Sequence, residues 1–217
     1  LPSFADSFTD GADLLPAARL AQTLEAHHLA IAIADTAEKR GIPLDLFNFP
    51  KDGLPSTKLA SMDHAAIYAI TRQESRFQVD AISSAGARGL MQLMPATAKE
   101  TAGKLGVKYS ASRLTSDAEY NALLGSTYLK AQLERFDGSL LLAAAAYNAG
   151  AGNARKWLNT FGDPRSEAID PVVWVELIPV QETRTYVKRV LGNYLVYRAR
   201  LGKDDLSIGE ALRKIPG

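Results

Sequence analysis

Helix punctuation recurs along most of this chain, and strand signals are scarce. A capping side chain or a first-turn proline repeatedly precedes an apolar stripe of helical period, with a glycine behind it. Asp63 is placed to cap a helix running to about Ser75, and Pro95 to open one that ends near Gly103 or Gly106. Asp117 opens a longer helix to about Phe136, followed by Gly138. Ser139 then caps the alanine-rich run Leu140 to Asn148, closed by Gly150. Asp170-Pro171 starts a short helix that stops before Pro179. Val187, Val190, Leu191, Tyr194, Arg198 and Leu201 give the last long helix its buried stripe, and Gly202 ends it. Only Arg76 to Gln92 departs from the pattern, with room for one small β-hairpin. The fold class predicted is mainly α.

The first 57 residues read differently. Ala17, Leu20, Ala21, Leu24 and His28 form one stripe opened by Pro16, and Ala30, Ile33, Ala34 and Ala37 form another, stopped by Gly41 and Pro43. Phe47 to Ser56 is punctuated by proline and glycine and reads as a connector. Residues 1–57 are therefore expected to be a helical pair hooked onto a domain spanning 58–217. Two short helices bury little by themselves, so they are expected to cap something larger. The chain opens at Leu1, without an initiator Met or a basic-then-apolar leader, which predicts a processed or excised piece.

Composition narrows the chemistry. A chain of 217 residues should bury roughly 70% of its unfolded surface. Its 47% hydrophobic and 23% charged residues match a globular protein. With 25 basic residues against 24 acidic ones, no electrostatic footprint points to nucleic acid or an anionic membrane. No apolar run approaches the roughly 18 residues of a membrane span. The chain has no cysteine, which removes disulfides, thiolate nucleophiles and cysteine metal sites. His27, His28 and His64 lack a zinc-protease spacing, and ordinary surface or core histidines account for them. Neither a metal nor another cofactor is expected, so acid–base chemistry has to rest on carboxylates.

Glu74 is the most informative of these. It follows Ile67 by seven residues and Ile70 by four, which puts it on their inward-facing stripe. It also lies at the helix C-terminus, the negative end of the dipole. Burial and that negative end both disfavour the charged form, so the pKa is expected to rise. A carboxylic acid kept protonated near neutral pH is able to give its proton to a leaving oxygen. Alone, a glutamate at a helix end is more often a solvated one.

Other segments add to it. Ser83 to Gln92 combines small residues with Gly86 and Gly89, allowing close backbone approach by a ligand. Gln92 offers an amide and Met94 a pliable apolar contact. Tyr147 and Asn148 end an otherwise apolar helix, and each of these features is also ordinary turn chemistry. Glu182, in the run Glu182 to Val187, is a second acid, or simply a helix-start glutamate near the positive dipole end.

Four segments in order, "RQESRF", "SSAGARGLMQLMP", "AYNAGAGN" and "IPVQETRTYV", resemble the catalytic domain of the soluble lytic transglycosylases, over about residues 58–200. The familiar "NAGPG" has Ala151 here in place of proline. The resemblance implies a goose-lysozyme-like, helical catalytic domain, with residues 1–57 as the tail of an α-superhelix. It implies cleavage of peptidoglycan between N-acetylmuramic acid and N-acetylglucosamine, giving 1,6-anhydromuramic acid ends. Glu74 would act as acid and then base, where most glycosidases need two carboxylates. Ser83, Gln92, Met94, Tyr147, Asn148 and Tyr186 would line the groove, and Glu182 would fix Tyr147 or a substrate hydroxyl. Arg184 is expected in a structural ion pair. The implied partners are peptidoglycan glycan strands, with other cell-wall enzymes as candidates, and the implied location is the periplasm. Two alternatives stand beside this: a goose-type muramidase of the same fold, using Asp80 or Glu182 to activate water, and a non-catalytic glycan-binding module.

Overall fold

The computed structural model describes residues 11–56, 59–203 and 206–216. A 3-10 turn, Gly11–Asp13, leads into α1 (Leu14–Thr23), α2 (His27–Lys39) and the single-turn α3 (Asp45–Asn48). Then follow α4 (His64–Ser75), α5 (Pro95–Leu105), α6 (Ala118–Arg135), α7 (Leu140–Ala149), α8 (Ala151–Phe161), α9 (Pro171–Glu176), α10 (Gln181–Arg200) and α11 (Ile208–Arg213).

The expected caps hold α4, α6, α7 and α9. Asp63, Asp117, Ser139 and Asp170 each accept a hydrogen bond from a backbone N–H of the first turn, and Pro95 occupies the first turn of α5. Every residue from Leu140 to Ala146 in α7 is fully buried. A helix apolar on all sides has to be surrounded, and α7 packs against α6, α8, α10 and α11. Its alanines present almost no side-chain bulk, which lets those neighbours approach. Ile67, Ile70, Val187, Val190 and Tyr194 bring α4 and α10 into the same core. A second cluster, built on Leu93, Ala98, Ala102, Leu114, Tyr120 and Leu124, packs α5 against α6.

The amino-terminal part has a small core of its own, including Leu14, Ala18, Ile33, Ala34 and Ala37. The stripe ending at His28 does not run along one helix. The chain turns at Leu24 to Ala26, where Glu25 takes φ of 55°, and Leu20 and Leu24 are 60% and 68% exposed. The connector is partly helical, since α3 carries Asn48 into a buried position. Ile31 and Leu54 enter the main core, so this part is packed onto the rest. The expected boundary at 57/58, like residues 1–10, lies outside the described residues.

Residues 76–92 form no hairpin ladder. Two isolated bridges, Ile82 with Arg88 and Arg88 with Leu93, fold the segment into a laced loop. Gly89 sits at φ of 74°, and a Cβ there would meet the Leu114 carbonyl and the Asn121 side chain. Sequence reasoning missed α8 and α11, the second despite the capping box that Ser207 and Glu210 form at its start. α8 follows Gly150 directly, and Gly150 adopts φ 86°, ψ 145°, a conformation that essentially only glycine reaches. Ala151 is thus the first residue of α8, a position proline also favours, so the departure from "NAGPG" leaves the corner intact. No helix among the described residues is long and apolar enough to cross a membrane.

Candidate active site

The last turn of α4 delivers Glu74 to the floor of a cleft of about 520 Å³, which Gln73, Asn148, Gln181, Glu182, Thr185, Tyr186 and Arg189 also line. The Tyr186 hydroxyl donates to Glu74 Oε1 at 2.6 Å. Desolvation is the main influence on the Glu74 carboxyl and pushes its pKa up, while the Tyr186 bond pulls it down; the result is about 7. The residue keeps part of its surface open to the cleft, so the acid is accessible as well as desolvated. Tyr186 and Tyr147 are held far above the ordinary phenol range, by burial first and then by the facing Glu74 carboxylate. Both therefore stay protonated donors.

Tyr147 and Asn148 arrive from the end of α7. The Tyr147 hydroxyl donates to the Met91 carbonyl at 2.8 Å, which pins the 81–94 loop beside the acid. Asn148 Oδ1 accepts from the buried Thr183 hydroxyl at 2.7 Å. Its Nδ2, with no bond to any described residue, faces the cleft as a donor. Glu182 lines the same cleft from the exposed first turn of α10. It does not fix Tyr147, whose hydroxyl is taken by Met91, and Thr183 is the residue that reaches across to α7. Asp80 is exposed and bonded by Gln78 at 3.0 Å. Arg184 pairs with Glu176, as expected of a structural arginine.

The loop residues do mainly structural work. Gln92, at φ of 46°, donates through Nε2 to the carbonyls of Gly89 and Ala81, at 2.9 and 3.2 Å. Ser83 Oγ accepts from Ala87 N at 3.0 Å. Met94 stands exposed at the start of α5. None of these three lines the cleft around Glu74. Sequence reasoning missed Asn121, fully buried on α6. Its Oδ1 accepts from Met91 N at 2.9 Å, and its Nδ2 donates to the Arg88 and Leu114 carbonyls, each at 2.9 Å. A polar residue on the inward stripe of a long helix was the available signal. Ser75 adds a bond from its hydroxyl to the Leu90 carbonyl at 2.7 Å.

Fold and site together define a helical, lysozyme-like domain with one desolvated acid, flanked by two tyrosines, at the base of an open cleft. The chain belongs to the transglycosylase SLT domain family, whose model matches residues 56–169. α10, with Tyr186 and Glu182, lies beyond that stretch. The soluble lytic murein transglycosylase of Escherichia coli K12 is 42% identical over 136 residues, 62% of this chain and 20% of the relative. An inactive Glu-to-Gln mutant of the lytic transglycosylase Slt from Pseudomonas aeruginosa superposes with a TM-score of 0.76 at 36% identity, over 92% of this chain and 32% of that one. The 70 kDa soluble lytic transglycosylase of Escherichia coli gives a TM-score of 0.78 at 28% identity, covering 96% of this chain and 33% of its own. The chain thus spans a fifth to a third of the length of these relatives.

Proposed function

We propose that the chain is the catalytic part of a lytic murein transglycosylase, with Glu74 as its single acid–base group. The observation that carries this reading is the Glu74 carboxyl itself, desolvated, bonded by Tyr186 and open to the cleft. Protonated Glu74 gives its proton to the oxygen linking N-acetylmuramic acid to N-acetylglucosamine, and the C1–O bond breaks. Positive charge at the muramic acid C1 is shared with the carbonyl oxygen of the same sugar's acetamido group. Asn148 Nδ2 is the donor available to orient that group or its neighbours. Glu74, now a carboxylate stabilised by the Tyr186 hydroxyl, takes the proton from the sugar's O6 hydroxyl as O6 bonds to C1. The product is a 1,6-anhydro sugar, the proton is returned to Glu74, and no water is consumed. Attack within one sugar has a high effective molarity, which removes the need for a second protein carboxylate.

The names of the relatives support murein as the substrate, and a Glu-to-Gln change inactivates the Pseudomonas relative. A murein substrate supports a periplasmic location. The coverage of the Escherichia coli structure supports reading α1–α3 as the end of a longer helical segment. Glu182 is a second acid in the cleft and the one feature that would suit a hydrolase. Mass spectrometry of muropeptides released from sacculi decides between them. Anhydro ends, lighter by one water, are expected, and hydrated reducing ends would overturn the assignment.

A further inference from the structure

A threonine inside a helix ordinarily spends its hydroxyl on the backbone carbonyl four residues back. Thr23, Thr71, Thr101, Thr127 and Thr160 all do so, at 2.7 to 2.9 Å. Thr183 departs from this. It is the third residue of α10, so the position four back, Pro179, lies before the helix begins. Thr183 is 1% exposed, which denies its hydroxyl to water, and the hydroxyl crosses to α7 to donate to Asn148 Oδ1 at 2.7 Å. Tyr186 stands three residues further on, on the same face of α10, and bonds Glu74 at 2.6 Å. The opening turns of α10 thus hold the Asn148 amide with one hydroxyl and the acid with the next.

We infer that Thr183 is a positioning residue, which fixes the end of the Asn148 amide that the cleft presents. The inference rests on the cleft being the glycan site. A primary amide is nearly symmetric in shape, and half a turn about its last bond exchanges an acceptor for a donor. As it stands, Oδ1 takes the Thr183 proton, and Nδ2 is left for the cleft, with no bond to any described residue. Turned over, Nδ2 would donate to the Thr183 oxygen, and the threonine's own hydrogen would lose its acceptor in a buried place. The hydroxyl therefore selects the first orientation. The cleft then offers a fixed N–H donor, which suits a carbonyl oxygen on a sugar, and it offers nothing to a group that only donates. A donor set before the ligand arrives needs no reorganisation when the ligand binds.

A double-mutant cycle on soluble glycan strands tests this. Thr183→Val keeps the shape and removes the hydroxyl, so kcat/KM should fall about tenfold, the scale of one misdirected polar contact. Thr183→Ser should recover most of that loss. Asn148→Ala should lose at least as much as Thr183→Val does. Adding Thr183→Val to Asn148→Ala should then cost less than about twofold more, because no amide is left to direct. Thr183→Ala, which leaves room in place of a methyl group, should give the same pattern on both backgrounds. The alkaline limb near pH 7 should stay in place in Thr183→Val, because Glu74 keeps its bond from Tyr186. A merely structural role would cost the full factor on the Asn148→Ala background too. That result, a serine variant as poor as the valine one, or a valine variant as active as the parent would overturn the role. Anhydro products without the coupling would sink this inference alone, whereas hydrated products with the coupling intact would sink only the transglycosylase reading.

Discussion

Helix α4 carries an acid at each end, and each acid is bonded by a tyrosine of α10. At the amino end, Asp63 accepts from Ala65 N, Tyr194, Arg198 and Lys203, with the two cations at 2.8 and 3.0 Å. At the carboxyl end, Glu74 accepts from Tyr186 alone among the described residues. Burial pushes both carboxyls up. At Asp63 it is outweighed by Lys203, Tyr194 and the capped backbone, and the pKa falls below the usual value; at Glu74 it prevails. The helix dipole works in the same sense, favouring an anion at the first end and opposing it at the second. Glu74 is the more deeply desolvated and Asp63 the better partnered, and the two differences together set the two charge states. One carboxylate holds α4 to α10, and the other is left short of partners so that it keeps a proton to give.

Glu74→Gln should produce the largest effect. It keeps the shape and one hydrogen-bonding oxygen but removes the transferable proton, so kcat should drop by about a thousandfold with an unchanged circular dichroism spectrum. Retained activity would break the contrast outright.

Asp63→Asn preserves the cap and removes the buried negative charge that Arg198 and Lys203 face. Chemical denaturation at pH 7 should show a loss of about 3 kcal/mol. That contribution is present above the ordinary aspartate pKa and disappears as pH falls through the lowered native value, so the variant and the parent should converge in acid.

The two ends should also respond to pH with opposite sign. A carboxyl raised from 4.5 to about 7 in the folded state costs stability as pH climbs through that interval. Glu74→Gln should therefore be more stable than the parent above pH 7, by up to about 3 kcal/mol, and equal to it below pH 4. Thermal melts at pH 4 and pH 8 would check this, and a variant less stable at pH 8 would contradict the desolvated acid.

Tyr186→Phe should give the smallest change. Removing the bond that favours the carboxylate raises the Glu74 pKa further, so the alkaline limb of kcat/KM, near pH 7 in the parent, should move to higher pH. An unmoved limb would mean that the tyrosine does not tune the acid.

The ends of α4, α6, α7 and α9 were legible because a cap is a local signal: one side chain, one turn of backbone. Glu74 was legible for the same reason, since its place on the inward stripe follows from residues four and seven positions back. α8 was not, because Gly150-Ala151-Gly152 looks like a loop until the helix behind it finds Trp157 a buried place. The bond from Tyr186 to Glu74 crosses 112 residues of chain, and no local pattern encodes it. The same holds for Asn121, an unremarkable residue in a helix that proves to hold the loop behind Glu74. Ser83 and Gln92, which the resemblance makes substrate contacts, spend their visible bonds inside the loop, while Met94 stands exposed at the start of α5.

Seven consecutive residues of α7 see no solvent, and four of them are alanine. An alanine packed on every side admits neither a larger neighbour nor a charge, so nearly any exchange along this rod forces apart the helices around it. Drift in such a protein is channelled outward, to the cleft rim, where specificity can be rewritten while the rod at the centre stays as it is.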